Sequence, residues 1–340
     1  AGLHQGFSTL FNGWAIGGSP EEIFGAKLFR WITENQDRNY FLYLHLRDPH
    51  SPFDPPPPFD QWYRQAPDGE DPVRREKRFD PDWVADPTVS GRRLLYSGEI
   101  RHNDHSLKNL LDYLEEAGTL ADTLLIMISD HGENLGERGN WFHKPPGYIQ
   151  VLHVPLLMFY PRKIPANRTI NHPVQLIDIF PTIMDLAGID TGNFLLQGDS
   201  LYPMLTGSGS TEEKNRIAFS EEISDLNKNH PAQLASLFYR NWHILNSKDF
   251  ARFSGRGAFF DFLNFILGAR IFNFYDDPEE KREFNSFFFD VIIKARARSL
   301  IQKIQESNLA ISRIMAAPGG REITHDQFVQ DRLKALGYIQ

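Results

Sequence analysis

The chain has 340 residues, of which 41% are hydrophobic and 24% are charged, and its formal net charge is -8. This composition is typical of a globular protein and excludes a largely disordered chain. The acidic balance argues against non-specific nucleic-acid binding, because a phosphate-binding surface needs an excess of cations. The sequence contains no cysteine, which excludes disulfides, cysteine metal ligands and a cysteine nucleophile within these residues.

The first third of the chain alternates between helical and strand-like patterns. Residues 20–38 carry apolar side chains at helical spacing after a Ser-Pro start, so they predict an amphipathic helix. Residues 40–46 form an apolar run of strand length, and such a run is typical of a strand buried on both faces of a parallel sheet. Residues 61–91 are charged and Pro-rich, which indicates a long surface excursion. Residues 99–117 again predict a helix, with Gly118 as its stop.

The next elements repeat this order. Residues 123–129 predict a buried strand that ends directly in a polar loop, and residues 154–160 predict another. Residues 174–187 predict a helix with Pro181 as a kink or break inside it and Gly188 after it. Together these patterns predict an α/β fold with a mostly parallel central sheet flanked by helices.

The pattern changes after about residue 190. Shorter candidate strands are separated by turn signals, and helical stretches follow them. The strands are predicted at residues 217–220, 236–239 and 242–246, and the helices at residues 289–315 and 328–336. We therefore divide the chain into an α/β domain at residues 1–190 and a small α+β subdomain with an antiparallel sheet at residues 191–340.

Residues 257–275 form the one stretch with membrane-like composition. Asp261, Asn264 and Arg270 interrupt it, so the pattern favours a buried or interfacial helix over a transmembrane span.

Asp130 and His131 are the first candidates for chemistry. They follow a predicted buried strand, and ligands gather at the carboxyl ends of parallel strands. A carboxylate beside an imidazole can bind a divalent cation, and Gly132 allows a tight turn. Glu133 and Glu137 could support those ligands. A turn-capping aspartate with an ordinary loop histidine explains the same two residues equally well.

His50 and Lys144 are further candidates. His50 lies between two prolines just after the predicted strand 40–46, and Lys144 lies in a loop of aromatic residues and prolines. A fixed lysine can present its charge to an anionic substrate oxygen, although a solvated surface lysine is the commoner case. His143 is a candidate of lower rank. Considered together, these side chains and Asp130-His131 indicate a metal-assisted site for an anionic ester.

The order of several motifs resembles the sulfatase family of the alkaline phosphatase superfamily. Asp130-His131-Gly132-Glu133-x-Leu135-Gly136-Glu137-x-Gly139 resembles its second metal-binding motif. The other matching segments are Asp48-Pro49-His50-Ser51-Pro52, Lys144-x-x-x-Tyr148, Val154-Pro155-Leu156-Leu157, Asp178-Ile179-Phe180-Pro181-Thr182, Leu196-x-Gly198-x-Ser200-Leu201 and Tyr275-Asp276-Asp277-Pro278-Glu279-Glu280. The resemblance extends over nearly the whole chain.

This resemblance implies a metal-dependent sulfuric ester hydrolase. It assigns Asp130 and His131 to one divalent metal ion, Lys144 to the sulfate oxygens, and His50 to the sulfate or the leaving group, with His143 as a further substrate-binding residue. The substrate expected is a small-molecule, glycan or lipid sulfate ester, and no nucleic-acid partner is expected.

His131 departs from the common family pattern. Many sulfatases have asparagine at this position and bind Ca²⁺, a hard cation that prefers oxygen ligands. Calcium is therefore expected by family, whereas the imidazole also admits Mn²⁺ or Zn²⁺. An Asp-His pair is also typical of phosphonate monoester hydrolases and phosphoglycerol transferases, so hydrolysis of a phosphonate monoester or phosphodiester, or phosphoglycerol transfer, is the alternative.

The family's nucleophile motif is not in this sequence. It contains no cysteine and no Ser-x-Pro-x-Arg, and residues 2–7 look like the segment that follows that region in the family. The simplest interpretation is an N-terminally truncated sequence, and the other is an inactive pseudo-sulfatase or binding relic. The cellular compartment and the oligomeric state are unknown from the sequence, although periplasmic, secreted or membrane-associated locations agree with the family.

Overall fold

The computed structural model describes a large part of the chain. The described residues are 7–8, 25–61, 87–143, 146–192, 196–208, 216–222, 234–239, 242–247, 269–273, 276–283, 301 and 304. Lys144 and the predicted helix 328–336 lie outside them, as does most of the predicted helix 289–315, of which Ile301 and Ile304 are helical.

Two helices and an extended segment form the first core. Helix α1 covers Ala26–Asn35 and helix α2 covers Pro87–Glu116. Their apolar faces meet in a cluster whose buried members are Leu28, Ile32, Leu110 and Leu114. Both predicted helices are confirmed, and α2 begins within the stretch that the sequence suggested to be a surface excursion.

Residues 40–46 are extended but do not form a strand in the described structure. Alternate side chains from Tyr40 to Leu46 pack against the cluster of α1 and α2, whereas Phe41 and Tyr43 are about two-thirds exposed. The prediction of a strand buried on both faces is therefore wrong for this segment, because the face that carries Phe41 and Tyr43 is largely exposed.

Helix α2 also holds the loop that follows this segment. Glu99 is buried, and its Oε1 accepts a hydrogen bond from the Asp54 amide at 2.7 Å. One turn further along α2, Asn103 Nδ2 donates to the Asp48 carbonyl at 2.7 Å. Gly98 permits the approach, since a Cβ there would lie 2.6 Å from the Phe59 carbonyl oxygen. The loop around His50 is thus fixed at both ends.

A two-stranded antiparallel pair follows. Strand β1 covers Leu125–Ile128, and it pairs with strand β4, Leu156–Phe159, through the central partners Ile126 and Met158. Leu156 and Met158 pack into a buried cluster with Leu186, while Leu157 and Phe159 are exposed. The strands are confirmed, but burial of β4 on both faces is not observed.

The helix after β4 differs in detail from its prediction. A 3₁₀ turn at Leu176–Asp178 leads into helix α4, Ile179–Ala187, and Gly188 ends it with φ +70°. Pro181 is the third helical residue, where no amide has an intrahelical partner. It therefore neither kinks nor breaks the helix.

Short elements complete the first part of the chain. They are strand β2 at Asn134–Leu135, strand β3 at Trp141–Phe142, helix α3 at Ile149–Leu152 and helix α5 at Tyr202–Thr206. Strands β2 and β3 form a small antiparallel hairpin.

The later residues form a four-stranded antiparallel sheet in the order β5-β6-β7-β8. Its strands are β5 at Ile217–Glu222, β6 at Leu234–Tyr239, β7 at Trp242–Ser247 and β8 at Ala269–Asn273. Strands β5 to β7 confirm the predictions. Strand β8 corrects one, because it occupies part of the stretch predicted as a helix; in it Ile271 and Phe272 are both buried.

The α/β class is confirmed, since helices pack beside sheets throughout the described residues. The strand pairs formed by those residues are all antiparallel, and the parallel pairing stays a prediction. The division at residue 190 also stays a prediction. Among the described helices, none combines the length and apolar character needed to cross a bilayer.

Glu99 makes the stability of this fold depend on pH. Burial raises the pKa of its carboxyl to about 8, whereas the carboxyl titrates near its ordinary value in the unfolded chain. Between these two values the folded chain holds the proton more tightly, so the free energy of unfolding falls as pH rises. We expect Glu99→Gln to remove this loss and to be more stable than the wild type at pH 8 by about 1 to 2 kcal/mol.

Urea denaturation at pH 5 and pH 8 measures the effect. Glu115→Gln is the matched control, because Glu115 is exposed on the same helix and should leave the pH dependence unchanged. If the free energy of unfolding changes equally with pH in the wild type and in Glu99→Gln, the pH dependence does not come from Glu99.

Candidate metal and ester-binding site

The loop after β1 carries Asp130 and His131. Ser129 Oγ donates to the His131 carbonyl at 2.7 Å, and the His131 amide donates to Asp130 Oδ1 at 2.9 Å. The Gly132 amide then donates to the Val151 carbonyl of α3 at 2.7 Å. These bonds fold the loop back on itself and dock it against α3.

Gly132 allows this docking because it has no side chain. A Cβ at this position would lie 2.2 Å from the Gln150 carbonyl oxygen, well inside van der Waals contact. The sequence suggested glycine for a tight turn, whereas the structure shows that close packing against α3 is what requires it.

Asp130 and His131 are suitably placed to bind one cation. His131 Nδ1 lies 3.0 Å from the Gly132 carbonyl oxygen, and because a carbonyl can only accept, Nδ1 carries the proton. This leaves Nε2 of the neutral ring as the ligand atom, an arrangement common in metal-binding histidines. Nε2 lies 3.9 Å from Asp130 Oδ2, a separation that two ligands of a single divalent ion can adopt with small torsional changes.

The two side chains differ in exposure. The Asp130 side chain is 66% exposed and the His131 side chain is 21% exposed. The carboxylate can therefore bind a cation that keeps water in its remaining positions.

The loop after residues 40–46 brings His50 to the same place. The His50 amide donates to the Arg47 carbonyl at 3.0 Å, and Arg47 Nη2 donates to the Ser51 carbonyl at 3.0 Å. His50 Nδ1 donates to the Ser51 carbonyl at 2.8 Å. Its Nε2 is buried and has no hydrogen-bond partner in the described part of the chain, so this nitrogen is available to a ligand.

His143 arrives from the hairpin of β2 and β3. Asn134 Nδ2 donates to the Phe142 carbonyl at 3.0 Å, which holds the end of β3. The ring of His143 lies 4.9 Å from that of His131 and 5.8 Å from that of His50, centroid to centroid. Three histidines from three separate segments therefore meet.

Glu133 completes this group. Its side chain is 5% exposed, and Oε1 lies 3.6 Å from His143 Nδ1. Neither carboxylate oxygen has a hydrogen-bond partner among the described residues. Burial raises the pKa of Glu133 to about 7, while the nearby His131 opposes the shift. An uncompensated buried carboxylate is costly, and a cation is the partner that relieves that cost.

Tyr96 lies near the same carboxyl groups. Burial, and then the charges of Glu133, Glu99 and Glu137, raise the pKa of the Tyr96 hydroxyl to about 12.

The structure brings Asp130, His131, His50 and His143 close together, and their roles stay a prediction. Glu137 does not join them, because it binds Arg93 at 2.6 Å and accepts the Leu135 amide. The sequence treated Glu133 only as a supporting residue, although the structure places it among the histidines. Nothing in its local pattern could distinguish it from Glu137, since the difference comes from which residues pack over each one.

These features define an α/β protein with a candidate metal centre at the carboxyl end of a strand. The protein-family model described as Sulfatase matches residues 5–189, more than half of the chain. The chain therefore belongs to the sulfatase family.

Curated relatives agree with this assignment. N-acetylglucosamine-6-O-sulfatase of Bacteroides thetaiotaomicron is 28% identical over 212 residues, which cover 62% of this chain and 35% of that protein. Choline-sulfatase of Rhizobium meliloti is 31% identical over 206 residues, which cover 55% of this chain and 40% of that protein. The chain thus spans well under half the length of these relatives.

A solved structure supports the fold. Phosphonate monoester hydrolase from Silicibacter pomeroyi is 23% identical and has a TM-score of 0.62, with 85% of this chain and 61% of that chain covered. At this identity the likeness shows a shared fold.

The contact between Gly132 and α3 gives a direct test of how the metal loop is positioned. We expect Gly132→Ala to lower the free energy of unfolding by about 2 kcal/mol, because the new methyl group collides with backbone atoms that cannot move aside cheaply. Urea denaturation measures the loss.

Gly91→Ala is the matched control. Gly91 lies inside α2, where an added Cβ would meet nothing within 4 Å, so the substitution should stabilise the helix by up to about 1 kcal/mol. Equal effects of the two substitutions would show that the Gly132 contact is not a constraint.

Proposed function

We propose that this chain supplies the metal-binding and ester-binding part of a metal-dependent sulfuric ester hydrolase. The observation that supports it most is the convergence of Asp130 and His131 with His50 and His143 at the end of β1. Family membership supplies the reaction class.

Asp130 and His131 would hold one divalent cation, with Oδ2 and Nε2 as the ligand atoms. A cation held there supplies positive charge for the sulfuryl oxygens and favours the charged form of an attacking nucleophile. Asp130 contributes negative charge with ready access to water, and His131 is oriented by its bond to the Gly132 carbonyl.

His50 would contact the ester. Its Nδ1 proton is held by the Ser51 carbonyl, so Nε2 in its protonated form can donate to an ester oxygen or to the leaving group. The ring of His143 lies 5.8 Å from that of His50, centroid to centroid, and would add a second polar contact. Lys144 follows His143 directly and would place its ammonium against the sulfate oxygens.

The substrate proposed is a sulfate ester of a sugar or another small molecule. Two curated relatives motivate this choice, because one is an N-acetylglucosamine-6-O-sulfatase and the other is a choline-sulfatase. This sequence contains neither a cysteine nor a Ser-x-Pro-x-Arg motif, so the proposal assigns metal-binding and ester-binding residues and assigns no nucleophile.

Cleavage of a phosphonate monoester or phosphodiester is the second candidate function. The observation that favours it is the imidazole at His131, because a nitrogen ligand suits Mn²⁺ and Zn²⁺ better than Ca²⁺. Assays of the complete gene product on an aryl sulfate, a phosphonate monoester and a phosphodiester separate the two. Faster turnover of either phosphorus ester would reject the sulfatase proposal.

Loss of the exposed carboxylate tests the metal assignment. In the complete gene product we expect Asp130→Ala to lose one equivalent of bound metal together with turnover, because one of the two ligand atoms from this loop disappears. Metal content by mass spectrometry and hydrolysis of an aryl sulfate are the two measurements.

Lys144→Ala is the companion variant, and it should lower turnover while the metal stays bound. Unchanged metal content in Asp130→Ala would reject Asp130 as a ligand. Loss of metal in Lys144→Ala would show that the lysine is structural.

The ligand type at position 131 controls which metal is preferred. We expect His131→Asn to shift the preference towards Ca²⁺ and away from Mn²⁺ and Zn²⁺, because an amide oxygen replaces a nitrogen ligand. Turnover of the chelator-treated protein with each metal in turn measures the ranking. His153→Asn is the control, because His153 is exposed and its replacement should keep the wild-type ranking of metals. A wild-type ranking in His131→Asn would show that His131 does not bind the metal.

A further inference from the structure

A second group of ligands lies beside the Asp130–His131 pair. His50, Glu133 and His143 each present a ligand atom, and these atoms all lie within 4.8 Å of one another. The group has two nitrogen donors and one carboxylate, and none of its members is a residue assigned above to the first cation.

The buried polar atoms indicate that this group is incomplete without a ligand. Nε2 of His50 and both oxygens of Glu133 are buried and have no hydrogen-bond partner among the residues that the structure describes. Buried polar atoms in native proteins are almost always paired. A nitrogen and a carboxylate that are both in this state and lie within 4.8 Å of each other are suited to share a cation.

The geometry is compatible with a transition-metal ion. Metal–ligand bonds of about 2.0 to 2.1 Å place neighbouring ligand atoms about 3.4 Å apart in a tetrahedral site. The three atoms lie within 4.8 Å of one another, so each pair has to close by at most about 1.4 Å, which side-chain torsions can supply. His50 already has its other ring nitrogen bound to a backbone carbonyl, which is the usual support for a metal-binding imidazole.

The donor set determines the class of ion. Two imidazoles and one carboxylate suit Zn²⁺, Co²⁺, Mn²⁺ or Fe²⁺, whereas Ca²⁺ needs six to eight oxygen ligands. The poor access of water to Glu133 also disfavours an ion that keeps a full hydration shell. This environment contrasts with that of Asp130, whose side chain is 66% exposed.

We propose that His50, Glu133 and His143 form a distinct binding site for a transition-metal ion, separate from the cation held by Asp130 and His131. The site is built by three segments: the loop anchored by Glu99, the docked loop after β1, and the end of the β2–β3 hairpin. Binding depends on neither turnover nor the nucleophile, so it can be measured on this chain.

Cobalt absorption provides the test, because four- or five-coordinate Co²⁺ absorbs visible light far more strongly than the hydrated octahedral ion. The titration uses the Asp130→Ala chain, in which the first site is disabled. We expect one equivalent of Co²⁺ to bind with the strong absorption, and Glu133→Gln in the same background to weaken that binding more than about tenfold, since a ligand is lost.

Glu116→Gln is the matched control, because Glu116 is exposed at the end of α2 and should leave the titration unchanged. Equal Co²⁺ affinity in the Glu133→Gln variant and its parent would overturn the proposal, and so would absence of the strong absorption in the parent.

Thermal unfolding checks that the variants fold. Zn²⁺ should raise the melting temperature of the Asp130→Ala chain and should not raise that of Glu133→Gln. If Glu133→Gln does not fold, His143→Ala replaces it in the titration. The control is then His153→Ala, because His153 is exposed. Unaltered Co²⁺ binding in His143→Ala would equally overturn the proposal.

These outcomes are distinct from those of the proposed function. Loss of turnover without loss of Co²⁺ binding in Asp130→Ala leaves both proposals standing. A Co²⁺ titration that fails, alongside normal hydrolysis, rejects this second site alone.

Discussion

The docking of Gly132 on α3 is the contact on which the candidate site depends. The Gly132 amide bonds to the Val151 carbonyl at 2.7 Å, and no side chain fits between Gly132 and the Gln150 carbonyl. This one contact sets the position of Asp130 and His131 on one side of Gly132 and of Glu133 on the other. A looser loop would separate carboxylates and imidazoles that act only at short range.

Helix α3 and the turn before it are held by the four-stranded sheet and by the turn that follows β8. Glu280 Oε2 accepts the Ile149 amide at 3.1 Å, and Ser236 Oγ donates to the Gly147 carbonyl at 2.8 Å. Gly147 has φ +103°, and a Cβ there would overlap Leu234. The sheet therefore supports the site indirectly, because it fixes the helix against which the metal loop docks. This explains physically why the residues after position 190 matter for chemistry located before it.

The sequence predicted the elements whose pattern is local. Helix α2 and strand β1 were confirmed because apolar spacing and a glycine stop are properties of neighbouring residues. Residues 40–46 and strand β8 were not assigned correctly, because an apolar run of that length fits a strand, an extended segment or a helix until its neighbours are known. Pro181 was misjudged for a similar reason, since its effect depends on where the helix begins.

The residues of the candidate site could likewise be predicted only where the local sequence marks them. Asp130 and His131 could be selected because they follow a strand, and His50 because it follows a strand-like run. The role of Glu133 could not be selected, because its burial results from the approach of His50 and His143 from segments 83 residues before and 10 residues after it. Only the folded chain brings these atoms within 4.8 Å.

His50 connects the two cation environments. In the proposals made above, a protonated Nε2 donates to an ester oxygen, whereas a deprotonated Nε2 binds a transition-metal ion with Glu133 and His143, and one nitrogen cannot do both at once. Asp130 is exposed and suits a hydrated divalent ion, whereas Glu133 is buried and suits an ion that has lost most of its water. The two proposed sites would therefore differ in the cation they select, and a metal ion in the buried one would remove His50 from the ester.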